Sequence, residues 1–376
     1  MSEKLHTIWI SLLKTISIVS FTLKDFPQTR YQGSKRKIVL WINEVIKENN
    51  LKYNTVLDGF GGTGTVSYLF KLLNKETTYN DSLKFNHIIG KALIENSTVT
   101  ITEDEINSIL QFDSSNKLIT NNFKGIYYLD SENEWIDNTI AGIENTFNRK
   151  TSIHQYKKAI AYYAIFQSCL IKRPFNLFHR NNLYIRTNDV PRNFGNKTTW
   201  EKPFNDLFRK FVTEANNAVF DNGESCKSLN ESIFEIDPYG YDLVYFDPPY
   251  YAQNGSHETA NYLRCYHFLE GIANYKQWEK RIDYNTPNLR LKQADVQSDF
   301  IEKDIYNKFE ELIVRFRKSK IIFSYKNGGF PGIDFISRIM SLNKKKTIIA
   351  DKHYKYALNH QNGNAKKNRE VLIIGI

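Results

Sequence analysis

Cysteine is scarce and scattered in this chain: Cys169, Cys226 and Cys265 are the only three among 376 residues. No CxxC pair and no Cys/His group at zinc spacing is present, which argues against a disulfide framework and a structural zinc. The eight histidines form no HExxH pattern, so the expectation is a metal-free protein of a reducing cytoplasm. Long apolar runs are also missing. Ile8–Phe21 is apolar but is interrupted by Lys14 and falls short of the roughly 20 residues of a membrane span. No small-residue cleavage site follows it, against a signal peptide. Trp9, Leu12, Leu13, Ile16 and Val19 fall at helical spacing and predict an amphipathic helix docked on the domain, with too little positive charge for a membrane-surface helix. Only 18 glycines and 9 prolines exclude a collagen-like or wholly disordered chain.

Cations and aromatics are what the chain has. Lys plus Arg exceed Asp plus Glu by 51 to 41, a net of +10, and aromatics make up 14%, Tyr and Phe far ahead of Trp. Cationic surplus and aromatic faces together suit a polyanion with stackable bases, although the same composition describes any soluble basic protein. The charge is regional. Residues 90–150 hold five Lys/Arg against ten Asp/Glu, a net of −5, whereas residues 151–215 hold eleven against four, a net of +7. The second stretch is the expected polyanion contact.

Short apolar runs predict strands at Thr55–Asp58, Thr77–Asp81, Asp242–Asp247, Lys320–Tyr325, Thr347–Ala350 and Glu370–Ile376. Helical patterns lie between several of them, at Ser34–Glu48, Val66–Leu73, Tyr262–Tyr275 and Ile301–Lys318. This alternation predicts an α/β fold with a mostly parallel sheet. Residues 82–220 break the rhythm with an apolar helix, Tyr156–Ile171, and a hairpin-like segment, Pro174–Arg186, turning at Asn181-Asn182. Two units are expected: a sheet domain from residues 23–90 and 216–376, and an inserted, mostly helical domain at 91–215, with residues 1–22 as an extension.

The segment Asp58-Gly59-Phe60-Gly61-Gly62-Thr63-Gly64 follows a strand and opens a helix, and its glycines permit a sharp turn close to a ligand. Gly59, Gly61 and Gly64 satisfy GxGxxG, and Asp81 stands 22 residues beyond Gly59, which together meet the dinucleotide fingerprint. Asp58 argues against that reading, because a carboxylate at the strand end repels the pyrophosphate that a helix N-terminus attracts. The same carboxylate suits a cationic amino group. S-adenosylmethionine carries an ammonium, a sulfonium and a ribose for Asp81, so it is favoured over NAD.

Downstream, Leu243–Phe246 runs into Asp247-Pro248-Pro249-Tyr250. Two prolines fix φ and donate no N–H, leaving rigid carbonyl acceptors where open α/β sheets bind ligands. Asp247 and the Pro248 carbonyl can each accept an N–H of a planar exocyclic amine, and Tyr250 can stack on its ring. Methyl transfer by direct displacement then depends on alignment and electrostatics. Asp-Pro-Pro alone also occurs as an ordinary turn; the glycine loop and the strand before it favour the functional reading.

With these residues in place, the chain resembles the Dam-like class of DNA adenine-N6 methyltransferases, including the modification enzymes of restriction systems. Arg30-Tyr31-Gln32-Gly33-Ser34-Lys35 resembles the family's opening motif, Asp58–Gly64 its main cofactor loop, Asn80-Asp81 its ribose-side acidic motif and Asp247–Tyr250 its catalytic one. The order of motifs is the family's, and Phe323-Ser324-Tyr325 and Glu370–Gly375 resemble its late strands. The resemblance implies a Rossmann-like methyltransferase sheet with an inserted target-recognition domain, S-adenosylmethionine as methyl donor, double-stranded DNA as substrate, a separately acting cognate restriction endonuclease, and a cytoplasmic, nucleoid-associated location. It implies cofactor contacts from Tyr31, Lys35, Asp58, Phe60, Gly62, Gly64 and Asp81, with Asp247 where cofactor and base meet. Gly59 stands where the family often has Pro or Leu, and Asn230 where it usually offers Asp before the catalytic strand.

Methylating a base inside a duplex requires flipping it out, hence phosphate clamps and groove-reading side chains. Lys172, Arg173, Arg180, Arg186, Arg192 and Lys197, with His179, are interleaved with Phe175, Phe178, Tyr184 and Phe194 and are the expected DNA contacts; aromatics serving as hairpin core is the plainer alternative. Tyr266, His267 and Phe268 are candidates for the base pocket, or else part of a packing helix. Cytosine-N4 methylation stays open, since both bases present an exocyclic amine, as does a non-catalytic DNA-binding protein retaining the fold; an NAD oxidoreductase finds no chemistry in the second motif.

Overall fold

The computed structural model describes residues 22–27, 31, 33–188, 197–249, 251–252, 261–292, 304–353 and 369–376. The helix expected over Ile8–Phe21 lies outside them, as do Tyr250 and Arg192. A 3-10 turn, Lys35–Lys37, leads into α1 (Val39–Glu48), β1 (Thr55–Asp58), α2 (Thr65–Leu72), β2 (Glu76–Asn80) and α3 (Lys84–Gly90). A helical stretch follows, with α4 (Glu103–Leu110), α5 (Leu118–Asn122), α6 (Asp130–Thr146), α7 (Ser152–Ile171) and α8 (Phe204–Ala218). The chain then forms β3 (Lys227–Leu229), β4 (Leu243–Phe246), β5 (Tyr251–Ala252), α9 (Tyr262–Ala273), α10 (Tyr275–Arg281) and α11 (Ile305–Arg315). It ends with β6 (Lys320–Lys326), β7 (Gly329–Phe330), α12 (Ile333–Asn343), β8 (Thr347–His353) and β9 (Arg369–Gly375).

Seven strands form one sheet in the order β3-β2-β1-β4-β6-β9-β8, and only β9 runs antiparallel to its neighbours. All six strands expected from the sequence are present, and the sheet is mostly parallel as their alternation with helices required. Side chains alternate across it with period two. Val56, Tyr245, Ile322 and Leu372 face α1 and α2, whereas Leu57, Val244, Phe246 and Phe323 face α11 and α12. Both faces are therefore covered, as a parallel sheet demands.

The helical layer is built on α7, which is apolar on nearly every side from Ala159 to Ile171; such a helix belongs at the centre of a core. One continuous cluster joins α7 to α6, α8 and α9 and to Tyr68 of α2 and Tyr79 of β2. The helices between 91 and 215 thus share their core with the sheet's own flank and with α9, beyond the Asp247–Pro249 turn.

The hairpin expected at Pro174–Arg186 does not form. A 3-10 turn at Pro174–Asn176 and a single helical turn at Tyr184–Thr187 stand there instead. The backbone groups a hairpin would pair are taken elsewhere. Arg173 donates to the carbonyls of Leu177 (3.1 Å) and Arg180 (2.6 Å), and the Phe178 N–H bonds the Cys265 carbonyl of α9 at 2.8 Å. Phe175 and Asn176 lie in the left-handed region, with φ of +62° and +57°.

Candidate active site

Strands β1 and β4 are neighbours in parallel register, Asp58 opposite Tyr245, so the glycine loop and the Asp247–Pro249 turn leave the same edge of the sheet side by side. The Gly59 N–H bonds the Tyr245 carbonyl at 3.0 Å and closes the two ends together. β1 also lies between β2 and β4, which are reached in opposite directions, and such a switch point opens a crevice at the carboxyl ends of the strands.

The loop's glycines have separate causes. Gly62 and Gly64 hold φ of +50° and +77°, which side chains resist. At Gly61 the cause is packing, since a Cβ would fall inside the Tyr79 ring. The Tyr79 hydroxyl lies 2.7 Å from the Gly62 carbonyl and 3.1 Å from that of Asn86. Asp81 Oδ2 accepts the Gly62 N–H at 3.0 Å, and Oδ1 accepts the Leu83 N–H at 2.9 Å. Asn80 braces the turn from below, its amide donating to the Gly59 and Glu231 carbonyls, and Asn230 donates to the carbonyls of Asp81 and Ser82. Phe60 packs edge-on to Phe246 with ring centres 6.1 Å apart.

Three carboxylates converge here. Asp58 is buried; its Oδ2 accepts the Ser67 hydroxyl at 2.7 Å, and its Oδ1 has no hydrogen-bond partner among the described residues. Burial pushes its carboxyl up to about 7, against the opposing Ser67 bond. Burial likewise raises Asp81 to about 6, against the backbone bonds from Leu83 and Gly62. Asp247 rises to about 6 because burial, helped by Glu370, outweighs the pull of Lys35. Lys35 bridges two carboxylates directly at this edge, 2.9 Å from Asp247 Oδ1 and 2.7 Å from Glu370 Oε1. An excess of buried negative charge fits a site for a cationic ligand.

Above the loop, Tyr31 stacks on Tyr266 and Tyr262 of α9, with ring centres 4.6 and 5.6 Å apart. Its hydroxyl accepts the Asn86 amide at 3.1 Å, and its ring edge stands 3.5 Å from where a Gly62 Cβ would lie. The opening motif, the cofactor loop and α9 therefore meet. Of the three base-pocket candidates, Tyr266 faces this stack. His267 is instead buried between the Tyr127 hydroxyl (2.8 Å) and the Phe178 carbonyl (3.1 Å), where burial lowers its pKa to about 3, and Phe268 packs among Phe123, Tyr127 and Phe178. Pro248 is buried and Pro249 half-buried, and the turn is followed by the pairing of β5 with β7. Glu370, Ser324 and Tyr262 belong to this site by contact and were not singled out in the sequence.

Half of the six cations expected on DNA are interior. Lys172 is 2.7 Å from Glu132 Oε1, and Arg186 grips the same carboxylate with both terminal nitrogens, at 2.9 and 2.7 Å. Arg173 is 1% exposed and lies over the Tyr127 and Phe178 rings. These three are corrected from phosphate clamps to structural groups. For Lys172 and Arg186 the reason lies in pairing between the charge blocks, as Lys157 pairs with Glu105, Lys158 with Glu144, and Lys172 and Arg186 with Glu132; Arg173 is held instead by backbone carbonyls and aromatic rings. Arg180 and Lys197 remain exposed, as do the rings of Phe175 and Tyr184.

A doubly wound sheet with a glycine loop and an Asp-Pro-Pro turn at its switch point defines a methyltransferase acting on an amino group. The profile of the D12 class N6 adenine-specific DNA methyltransferases matches residues 31–316, and the chain belongs to that family. It is 25% identical over 356 residues to the Type II methyltransferase M2.HphI of Haemophilus parahaemolyticus, covering 93% of this chain and 97% of that one. It is 24% identical to the Modification methylase LlaI of Lactococcus lactis subsp. lactis and 26% identical to the Type II methyltransferase M.FokI of Planomicrobium okeanokoites. Those two alignments cover 92% and 88% of this chain but only 54% and 50% of the relatives. Of the targets the sequence left open, the family selects adenine N6. Among the described residues no helix is long and apolar enough to cross a membrane.

Proposed function

We propose that the chain transfers the methyl group of S-adenosylmethionine to adenine N6 in double-stranded DNA and serves as the modification component of a restriction-modification system, with the cognate endonuclease a separate protein. The observation that carries the choice of donor is Asp58, a buried carboxylate at the end of β1 with an oxygen lacking any hydrogen-bond partner among the described residues. An ammonium supplies the missing partner, whereas a pyrophosphate would meet repulsion. Asp58, Phe60, Gly62, Gly64 and Asp81 are the residues that would hold the donor, under Tyr31 and beside Lys35. When bound, the donor supplies an electrophilic methyl group on a positively charged sulfur.

The remaining work falls to the chain's own side chains. Asp247 and the Pro248 carbonyl accept the two N–H groups of the adenine amine, turning its lone pair toward the methyl carbon, and Asp247 faces the positive charge that builds on nitrogen. The half-buried rings of Tyr31 and Tyr262, backed by Tyr266, and Tyr250 offer aromatic faces to an extruded base. Arg180, Arg192 and Lys197 are assigned to the phosphate backbone, and residues 91–215 carry most of the recognition surface. The test is incubation with methyl-labelled S-adenosylmethionine and DNAs of varied sequence, followed by nucleoside analysis. Label in N6-methyldeoxyadenosine at a defined sequence is the expected result; label in N4-methyldeoxycytidine, or none, refutes the reading.

A further inference from the structure

Glu370 is fully buried near the start of β9, followed by the core residues Val371–Ile374. A carboxylate in such a place is strongly unfavourable unless paired and hydrogen-bonded. Here Oε1 accepts both the Ser324 hydroxyl, at 2.8 Å from β6, and the Lys35 ammonium at 2.7 Å. Lys35 is contributed from 335 residues away in the chain, and its second partner is Asp247 at 2.9 Å. Two carboxylates thus share one ammonium, and these three groups together sum to a formal charge of −1, with Lys326 a further cation on the Glu370 side. A Lys35–Asp247 pair alone would be neutral.

We propose that Glu370 is a positioning residue for methyl transfer: anchored by Ser324, it shares the Lys35 ammonium with Asp247, so that Lys35 holds Asp247 in place without alone offsetting its charge, and Asp247 stays a strong acceptor toward the adenine amine. The inference rests on the reading of Asp247 as the acceptor of that amine. During transfer, the electrons of the sulfur–methyl bond stay with sulfur and the amino lone pair forms the new bond to carbon, so positive charge passes to N6, whose proton then leaves to Asp247 or to water. A carboxylate paired with Lys35 alone would be a weaker acceptor and would stabilise that charge less. Among the described residues, the other titratable groups that act on the cluster are Asp58 and the Tyr245 and Tyr262 hydroxyls on the Asp247 side, and Lys326 beside Glu370. None of these bridges the two carboxylates as Lys35 does. Glu370 raises the Asp247 carboxyl and Lys35 lowers it, so both consequences of losing Glu370 act in one direction.

The experiment compares Glu370→Gln, Glu370→Asp and Ser324→Ala with the unaltered chain in steady-state methylation across pH 5 to 8. Glu370→Gln keeps size and polarity and removes the charge. It is expected to lower kcat by about thirtyfold with KM for donor and DNA unchanged, and to move the acidic limb of the kcat profile to lower pH. Glu370→Asp recovers part of the rate, and Ser324→Ala shows a smaller effect in the same direction. Should Glu370→Gln fold poorly, Ser324→Ala carries the test through the same two readouts. A kcat within twofold of the unaltered chain and an unmoved acidic limb overturns the proposal, as does a loss of melting temperature without a shift of the limb. Failure of the underlying reading is separable, because Asp247→Ala would then retain activity whatever Glu370 does.

Discussion

Two regions of this molecule bury charge, and they do so on opposite terms. In the helical layer, Glu132 is matched by Lys172 and Arg186. Burial alone would raise its carboxyl, but the Arg186 and Lys172 contacts outweigh it and hold Glu132 below the usual range. At the sheet edge, Asp247 and Glu370 share the ammonium of Lys35, Asp58 and Asp81 lie at the ends of the neighbouring strands, and burial drives the three aspartates upward. In the first region the carboxylate is fully paired within the chain, by two cations, and the cluster is formally +1. In the second, carboxylates outnumber the cation paired with them, and an excess of negative charge in a crevice fits a place completed by a cationic ligand.

The comparison breaks most visibly at Asp247. Asp247→Ala is expected to lower methyl transfer by about a thousandfold while the donor still binds; steady-state rates and calorimetry check it, and normal turnover would remove Asp247 from the chemistry. In the helical layer, Glu132→Ala strands two buried cations and is expected to cost about 3–5 kcal/mol of stability. Urea unfolding measures it, and a loss under 1 kcal/mol would show that water already solvates the cluster. The smallest effects separate surface cations from buried ones. Arg180→Ala and Lys197→Ala should each lower the salt slope of DNA affinity by about one, whereas Arg173→Ala should lower the melting temperature and leave the slope unchanged. A slope insensitive to Arg180 and Lys197 would move the DNA surface elsewhere.

Much of the crevice was legible because its signals are local. Asp58–Gly64 and Asp247–Pro249 are contiguous, and each follows a short apolar run that reads as a strand. What escaped depends on partners distant in the chain. Nothing around Glu370 distinguishes it from a strand-end carboxylate until Lys35 folds against it. Lys172, Arg173 and Arg186 have the spacing of phosphate clamps, and only the fold shows that Glu132, 54 residues before Arg186, takes two of them. A signal for this did exist, since a −5 stretch directly before a +7 stretch in a helical region invites mutual neutralisation. The Asn181-Asn182 turn misled for a related reason: a hairpin needs free backbone groups on both arms, and the buried Arg173 guanidinium claims two of them.

The central claim, that the sheet-edge carboxylates await a cationic donor, is tested most directly by titrating S-adenosylmethionine calorimetrically between pH 7 and pH 5.5. With its carboxyl at about 7, Asp58 becomes neutral as pH falls through that value, and a positive donor binds the ionised form. Affinity is therefore predicted to fall by about tenfold over this interval, and Asp58→Asn is predicted to bind weakly at both ends with most of the dependence gone. Equal affinity at pH 7 and pH 5.5, or an Asp58→Asn variant that keeps the full dependence, would contradict the account.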